Sequence, residues 1–175
     1  MPTSIRSNVY VLLAPGFEET DVSTVTRNLR RSGFRVAVVS LTAGSVRGAY
    51  GLSLAPDWTL SEVEAENPGA IVLPGSIQAA RQLNADPRVH TLLRRVVGQE
   101  GYVVAFDTAY TVLRSAGLVA NGEGSGDETN RPAVPAWHGE GLPSERVLVE
   151  GRVVFCRDSG AAQEAALTLV SLLES

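Results

Sequence analysis

The sequence predicts a doubly wound α/β sandwich, in which helices cover both faces of a mainly parallel sheet. Short apolar runs rich in β-branched residues recur along the chain, as is typical of strands buried on both faces. Segments with the apolar spacing of amphipathic helices separate these runs. Near the C-terminus, two alternating runs predict a hairpin. The four buried runs are residues 8–14, 35–41, 70–73 and 102–106.

The first of these runs opens a βαβ unit. Residues 8–14 form the predicted strand, and Pro15 and Gly16 end it. Residues 21–32 then have helical spacing, with apolar side chains on one face and arginines on the other. Residues 35–41 return as a second strand. Because such crossovers are right-handed, the two strands are expected to lie side by side and parallel.

The middle of the chain carries shorter elements. Residues 44–56 are rich in glycine and predict a small hairpin or an edge strand. Ser61 with Glu64 has the spacing of a capping box, which predicts a short helix there. Asp86 followed by Pro87 is a strong start signal for the next helix.

The C-terminal third begins with the segment 121–143, whose glycines, prolines and acidic residues predict a surface loop. Residues 146–156 predict a hairpin that turns at Glu150–Gly151. Residues 161–173 predict a final amphipathic helix. Since no repeat and no long linker divides the chain, a single domain over residues 1–175 is expected.

Composition excludes several classes of function. The formal net charge is −4, so neither nucleic acid nor an anionic membrane is an expected partner. All fifteen basic residues are arginines, which excludes a Schiff-base lysine. Cys156 is the one cysteine, so no intrachain disulfide can form. With no signal peptide and no apolar run of about 18 residues, the chain is expected to be cytoplasmic.

Polar residues follow three of the predicted strands, at the edge of a parallel sheet where ligands bind. They lie in residues 15–21, in residues 74–76 and at Asp107–Thr108. The fourth strand passes into a helix with Asp107 between them, and such a sharp turn is how serine and cysteine nucleophiles are mounted. The alternative is that Asp107 is only the N-cap of that helix.

Three segments carry a more specific resemblance. Residues 15–21 (PGFEETD), 73–76 (LPGS) and 103–109 (VVAFDTA) resemble, in order and spacing, the signature segments of the ThiJ/PfpI superfamily. Residues 157–160 (RDSG) also match in position. This superfamily is class I glutamine amidotransferase-like and includes deglycases and PfpI-type proteases. The resemblance implies a flavodoxin-like fold and a homodimer.

The resemblance assigns the central residues of a pocket. The family's nucleophilic cysteine maps onto Asp107. The glutamate that hydrogen-bonds this cysteine maps onto Asp21, with Glu18 as the alternative. Both replacements are aspartates. The aspartate side chain is one bond longer than cysteine and one bond shorter than glutamate, so the distance that the pair bridges could be preserved. The two carboxylates are therefore expected to face each other and to share a proton.

The resemblance also assigns backbone groups and further pocket residues. The paired glycines whose N–H groups hold an oxyanion map onto Gly75 and Ser76, with Thr108 following the elbow. His138, in the irregular loop, and Arg157, after the last strand, are pocket candidates. No cofactor and no metal are expected, although two carboxylates near His138 offer an alternative site for a hard divalent cation.

Without the cysteine, thiol-based glyoxalase, deglycase or peptidase activity loses its nucleophile. Cys156 lies in an apolar strand and is expected to be a buried structural residue. The first hypothesis is therefore a pseudoenzyme with a regulatory or stress-related function. In that case the Asp107 carboxylate would resemble the sulfinate that oxidant-sensing members form. The alternative is a small-molecule hydrolase, hydratase or lyase that uses an Asp21–Asp107 pair.

Overall fold

The computed structural model describes residues 8–119 and 145–175. The strands in these ranges are β1 (Asn8–Leu13), β2 (Arg35–Ser40), β3 (Val46–Arg47), β4 (Ser53–Leu54), β5 (Trp58–Thr59), β6 (Ala70–Leu73), β7 (Tyr102–Phe106), β8 (Val147–Glu150) and β9 (Val153–Cys156). The α-helices are α1 (Glu19–Arg31), α2 (Leu60–Val63), α3 (Ile77–Asn84), α4 (Pro87–Gly98), α5 (Tyr110–Ser115) and α6 (Ala162–Glu174).

Seven of the strands form one sheet in the order β5-β2-β1-β6-β7-β9-β8. All neighbours in this sheet are parallel except β8 and β9, which form the C-terminal hairpin. The strands β3 and β4 pair antiparallel in a separate small hairpin. Helix α1 packs on α6, and α3, α4 and α5 pack on one another. The predicted α/β architecture, its mainly parallel sheet and its C-terminal hairpin are thus confirmed.

The core lies along the central strands. Every residue of β6 and β9 is buried, and so are all residues of β1 and β7 except the first of each. Strands covered on both faces must be apolar throughout, which is why these segments appear as continuous apolar runs in the sequence. The carboxyl ends of β1, β6, β7 and β9 therefore meet at one edge of a rigid sheet.

Local start signals were predicted with mixed success. Asp86 caps α4 as expected, with its carboxylate accepting from the N–H of Arg88 at 3.0 Å. The predicted capping box of Ser61 and Glu64 is wrong. The box is formed by Thr59 and Glu62, because Thr59 ends β5 and the helix begins at the next residue.

Helix α3 has no counterpart among the predicted elements. It begins at Ser76, whose backbone has φ = 110° and whose hydroxyl accepts from the N–H of Ala79 at 3.1 Å. Helix α1 also begins earlier than predicted, at Glu19 instead of Asp21.

The described residues share one hydrophobic core. The single domain over residues 1–175 stays a prediction for the whole chain, and the predicted loop 121–143 lies outside the described residues. Within residues 8–119 and 145–175, no helix combines the length and the apolar character needed to cross a membrane. The cytoplasmic location stays a prediction.

Candidate functional site

The turn after β7 has the geometry of a nucleophile elbow. Asp107 follows Phe106 directly and has φ = 49°, in the left-handed region that residues other than glycine seldom adopt. Residues 107–109 form a turn of 3₁₀ helix that leads into α5. An N-cap aspartate would have an extended backbone, and this turn begins without a side-chain cap. Asp107 is therefore the first residue of this turn, not the residue before it, while its carboxylate still interacts with the backbone N–H of Thr108.

Asp21 lies in the first turn of α1 and is only 1% exposed. Its Oδ2 accepts a hydrogen bond from the N–H of Gly75 at 2.8 Å. Its Oδ1 is buried and has no hydrogen-bond partner among the described residues. Burial raises the pKa of Asp21 to about 6, against the opposing effects of the Gly75 N–H and the nearby Ser159 hydroxyl.

Gly75 lies between the two aspartates. A Cβ atom added to Gly75 would be 3.0 Å from Asp21 Oδ2 and 3.3 Å from Asp107 Cβ, so both residues lie against Gly75. The charge of Asp107 contributes to raising the pKa of Asp21. Within residues 8–119 and 145–175, however, no hydrogen bond joins the two carboxyl groups. The structure brings the pair together without the direct proton-sharing contact expected from the sequence.

Asp107 is half-buried, and a third acid acts on it. Burial raises its pKa, the charge of Asp158 raises it further, and the backbone N–H of Thr108 opposes the shift. Asp158 is itself held by Arg157, with 3.1 Å between Nε and Oδ2. Arg157 was among the predicted pocket residues, whereas Asp158 was not. The matching RDSG segment was the one signal that could have identified it.

The three acids at the start of α1 have different positions. Glu18 is partly exposed and caps α1, whereas Asp21 is the acid buried against Gly75. Glu19 faces the small β3–β4 hairpin, where its Oε1 accepts from the N–H groups of Tyr50 at 2.8 Å and Leu52 at 3.3 Å. Of these three acids, only Asp21 accepts a hydrogen bond from Gly75, and its assignment as the counterpart of the family's glutamate stays a prediction.

The predicted oxyanion donors are not equivalent. The N–H of Gly75 is already bonded to Asp21. The hydroxyl of Ser76 caps α3. The hydroxyl of Thr108 is buried and has no partner among the described residues. The backbone N–H of Thr108 interacts with the Asp107 carboxylate. Of the three predicted donors, it is therefore the best placed to stabilise negative charge on that side chain.

Cys156 lies at the end of β9, paired in register with Phe106. Its side chain is buried, and its thiol donates to the carbonyl of Asp158 at 3.3 Å. Burial, with the charge of Asp21, raises the pKa of this thiol to about 12. A thiol in this state is almost fully protonated at neutral pH and is a poor nucleophile.

The metal alternative has little support. In the described part of the chain, no three His, Cys, Asp or Glu side chains are grouped in a way that could hold a metal ion. His138, on which that alternative and one pocket assignment depended, lies outside the described residues.

Comparisons with known proteins agree on one family. The model of the DJ-1/PfpI family matches residues 7–172. The chain is 27% identical to dj-1beta of Drosophila melanogaster over 97% of its length and 90% of that protein. It is 28% identical to a glutathione-independent glyoxalase of Caenorhabditis elegans, covering 97% and 90% of the two chains. It is 26% identical to a deglycase of Thermococcus kodakarensis, covering 87% and 90%.

Solved structures agree with this result. A mutant of a DJ-1 superfamily protein from Salmonella typhimurium superimposes with a TM-score of 0.81 and 28% identity, covering 96% of this chain and 90% of the other. Drosophila DJ-1beta also superimposes with a TM-score of 0.81, at 26% identity, covering 95% and 90%.

Proposed function

Since the chain belongs to the DJ-1/PfpI family, we propose that it is a small-molecule hydrolase, hydratase or lyase that uses carboxylates in place of a thiol. One observation carries this proposal. Asp107 has the left-handed backbone of a nucleophile elbow and lies against Gly75, whose N–H holds the buried carboxyl group of Asp21. A strained conformation of this kind costs about 1–3 kcal/mol and is concentrated at functional sites.

The two carboxyl groups suit different tasks. With a pKa of about 6, Asp21 can both give and take a proton near neutral pH, as general acid–base catalysis requires. Asp107 is half-buried and lies at the end of the strand, where a ligand can reach it. The acidic surroundings, which include Glu18 and Asp158, favour an uncharged substrate over an anion.

The activities named for relatives do not transfer directly. Two of them are called a deglycase and a glyoxalase, and the family resemblance assigns such chemistry to the elbow cysteine. Here the elbow residue is Asp107, and the thiol of Cys156 is buried with a pKa of about 12. We therefore expect reactions in which a carboxylate, not a thiolate, attacks or moves a proton.

The proposal is tested with three uncharged probes, methylglyoxal, 4-nitrophenyl acetate and styrene oxide. We expect turnover of at least one probe, and we expect Asp107→Asn to lower its kcat/KM by about 10²-fold or more, because the amide keeps the shape but loses the reactive oxygen. The matched control is Asp57→Asn. Asp57 directly precedes the edge strand β5, away from β7, and the amide oxygen of the variant can still accept from Val38 N–H. Equal rates for the wild type and Asp107→Asn would refute the proposal.

A regulatory, non-catalytic protein is the second candidate. The observation that favours it is the lack of a hydrogen bond between the Asp21 and Asp107 carboxyl groups in the described residues, since a catalytic pair would gain from direct contact. An Asp107 carboxylate would then imitate an oxidised cysteine permanently. No turnover of any probe, by a protein that is folded and stable, would support this candidate.

We further propose a homodimer, formed through α1 and the β3–β4 hairpin. Tyr50 is 82% exposed and Leu52 is 63% exposed in this hairpin. Beside them lies a cavity of about 360 Å³ between α1 and the hairpin, with a mainly apolar lining that includes Val22 and Leu54. Large apolar side chains grouped on a surface commonly mark an interface.

The dimer proposal predicts that Leu52→Arg raises the dissociation constant of the dimer by about 10-fold or more, since a charge would replace an apolar contact. Sedimentation velocity over a dilution series measures this change. The control is Leu167→Arg, which changes an exposed leucine of α6 outside this surface and should leave the dimer intact. A wild-type chain that sediments as a monomer at all concentrations would exclude the proposal.

A further inference from the structure

We infer that Asp107 is a nucleophile toward saturated carbon and that the site hydrolyses small, uncharged epoxides to diols through an ester on Asp107. This inference rests on the proposed function and names its substrate class. Its evidence is the elbow at Asp107, the buried Asp21 with one unpartnered oxygen, and the distribution of charge around them.

A carboxylate on an elbow favours a different electrophile from a thiolate. Carboxylate attack on an acyl group gives a high-energy anhydride, whereas attack on a saturated carbon gives an ordinary ester. Aspartate and glutamate act as covalent nucleophiles in enzymes of several kinds. Asp107 has the left-handed backbone of such an elbow and follows directly on the carboxyl end of β7, the position at which a nucleophile is mounted.

The charges of the site select the leaving group. Asp107 has the acids Asp21 and Asp158 nearby, and Arg157 is already paired with Asp158. A departing halide or other anion would therefore be repelled. An epoxide oxygen leaves no free anion, because it stays on the substrate and needs only a proton.

Asp21 can supply that proton. It is only 1% exposed, its Oδ1 makes no hydrogen bond within the described residues although the Ser159 hydroxyl lies near the carboxyl group, and it lies against Gly75, as Asp107 does. An unpartnered buried carboxyl oxygen is costly unless a ligand or a proton satisfies it. An epoxide oxygen accepting a hydrogen bond from this carboxyl group would remove that cost.

The reaction has two balanced steps. In the first, a carboxylate oxygen of Asp107 bonds to a ring carbon, the carbon–oxygen bond of the ring breaks, and its electron pair takes the proton of Asp21. In the second, the Asp21 carboxylate takes a proton from water while the hydroxide adds to the ester carbonyl carbon of Asp107. The N–H of Thr108 lies beside the oxyanion. When the tetrahedral intermediate collapses, the bond between the ester carbonyl carbon and the substrate oxygen breaks, and Asp21 protonates that oxygen to give the diol. The new carboxylic acid of Asp107 then returns its proton to Asp21.

The test uses the full chain, 1,2-epoxy-3-(4-nitrophenoxy)propane as the probe and water enriched in oxygen-18. We expect the diol to form and the peptide that contains Asp107 to gain up to two heavy oxygen atoms, because each turnover cleaves the ester at its carbonyl carbon. No label should enter in the absence of the probe. We expect Asp107→Asn to lose at least about 10²-fold in turnover, and Asp57→Asn to keep it.

Each other outcome overturns the inference in a recognisable way. Diol formation without label in Asp107 would mean that water attacks the epoxide directly. That result would reject the ester intermediate but not the proposal that the protein is a carboxylate-dependent enzyme. A stable adduct on Cys156 in place of Asp107 would assign the reactivity to the thiol. No reaction with this probe, together with Asp107-dependent turnover of methylglyoxal or 4-nitrophenyl acetate, would reject the epoxide class alone.

Discussion

Asp21→Asn is expected to make the protein about 3 kcal/mol more stable at pH 8 than the wild type. Burial raises the pKa of Asp21 from the usual 3.8 to about 6, and each pKa unit corresponds to about 1.4 kcal/mol. At pH 8 the wild type must bury a charged carboxylate. The asparagine variant buries a neutral amide, whose oxygen can still accept from the N–H of Gly75.

The direction of the pH dependence follows from the raised pKa. The native state binds this proton more tightly than the unfolded chain, so the unfolded chain loses it first as the pH rises. The stabilisation from protonated Asp21 is complete below about pH 4 and is lost as the pH rises through about 6. Between pH 4 and pH 8 the wild type should therefore lose stability relative to Asp21→Asn.

Urea unfolding of both proteins at pH 5 and pH 8 measures this difference, and the titrating groups that do not interact with Asp21 cancel in the comparison. The control is Asp158→Asn, because Asp158 is exposed and Arg157 lowers its pKa. That variant should show no such gain at pH 8. A wild type that is more stable than Asp21→Asn at pH 8 would mean that the ionised carboxylate of Asp21 stabilises the fold, against our account.

Phe106→Ala is expected to reduce the free energy of unfolding by about 3–5 kcal/mol, as is typical when a fully buried aromatic side chain is truncated. Phe106 has no exposed surface, ends β7 and pairs in register with Cys156 of β9. The cavity would open directly beneath the elbow, because the next residue is Asp107.

Chemical denaturation measures the loss, and Phe106→Leu is the matched control. Leucine fills most of the space and should cost about 1.5 kcal/mol or less if the core repacks. Equal losses for the two variants would mean that the aromatic ring itself, and not the filled volume, stabilises this strand end.

The raised pKa of Asp21 links stability to function. A neutral residue that still accepts from the N–H of Gly75 is expected to give a more stable fold at neutral pH, so the carboxyl group of Asp21 acts against stability there. Such a residue is expected where a proton has to be given and taken, and it is the strongest physical reason to look for catalysis at this site.

The sequence by itself determined the four central strands, their parallel arrangement and the C-terminal hairpin, but not the short edge strand β5. Each of these follows from local patterns, since strands buried on both faces must be apolar throughout. Asp86 with Pro87 began a helix as predicted, because an N-cap and a proline act on their immediate neighbours. The sharp turn at Asp107 was also predictable, since strand and helix meet there without a linker.

Only the tertiary structure decided which groups face one another. The choice among Glu18, Glu19 and Asp21 depended on where α1 begins and on a hydrogen bond to Gly75, which is 54 positions away in the chain. The effect of Asp158 on Asp107 depended on β9 lying beside β7. Distances and burial between segments far apart in sequence control the pKa of a carboxyl group, and no local pattern contains them.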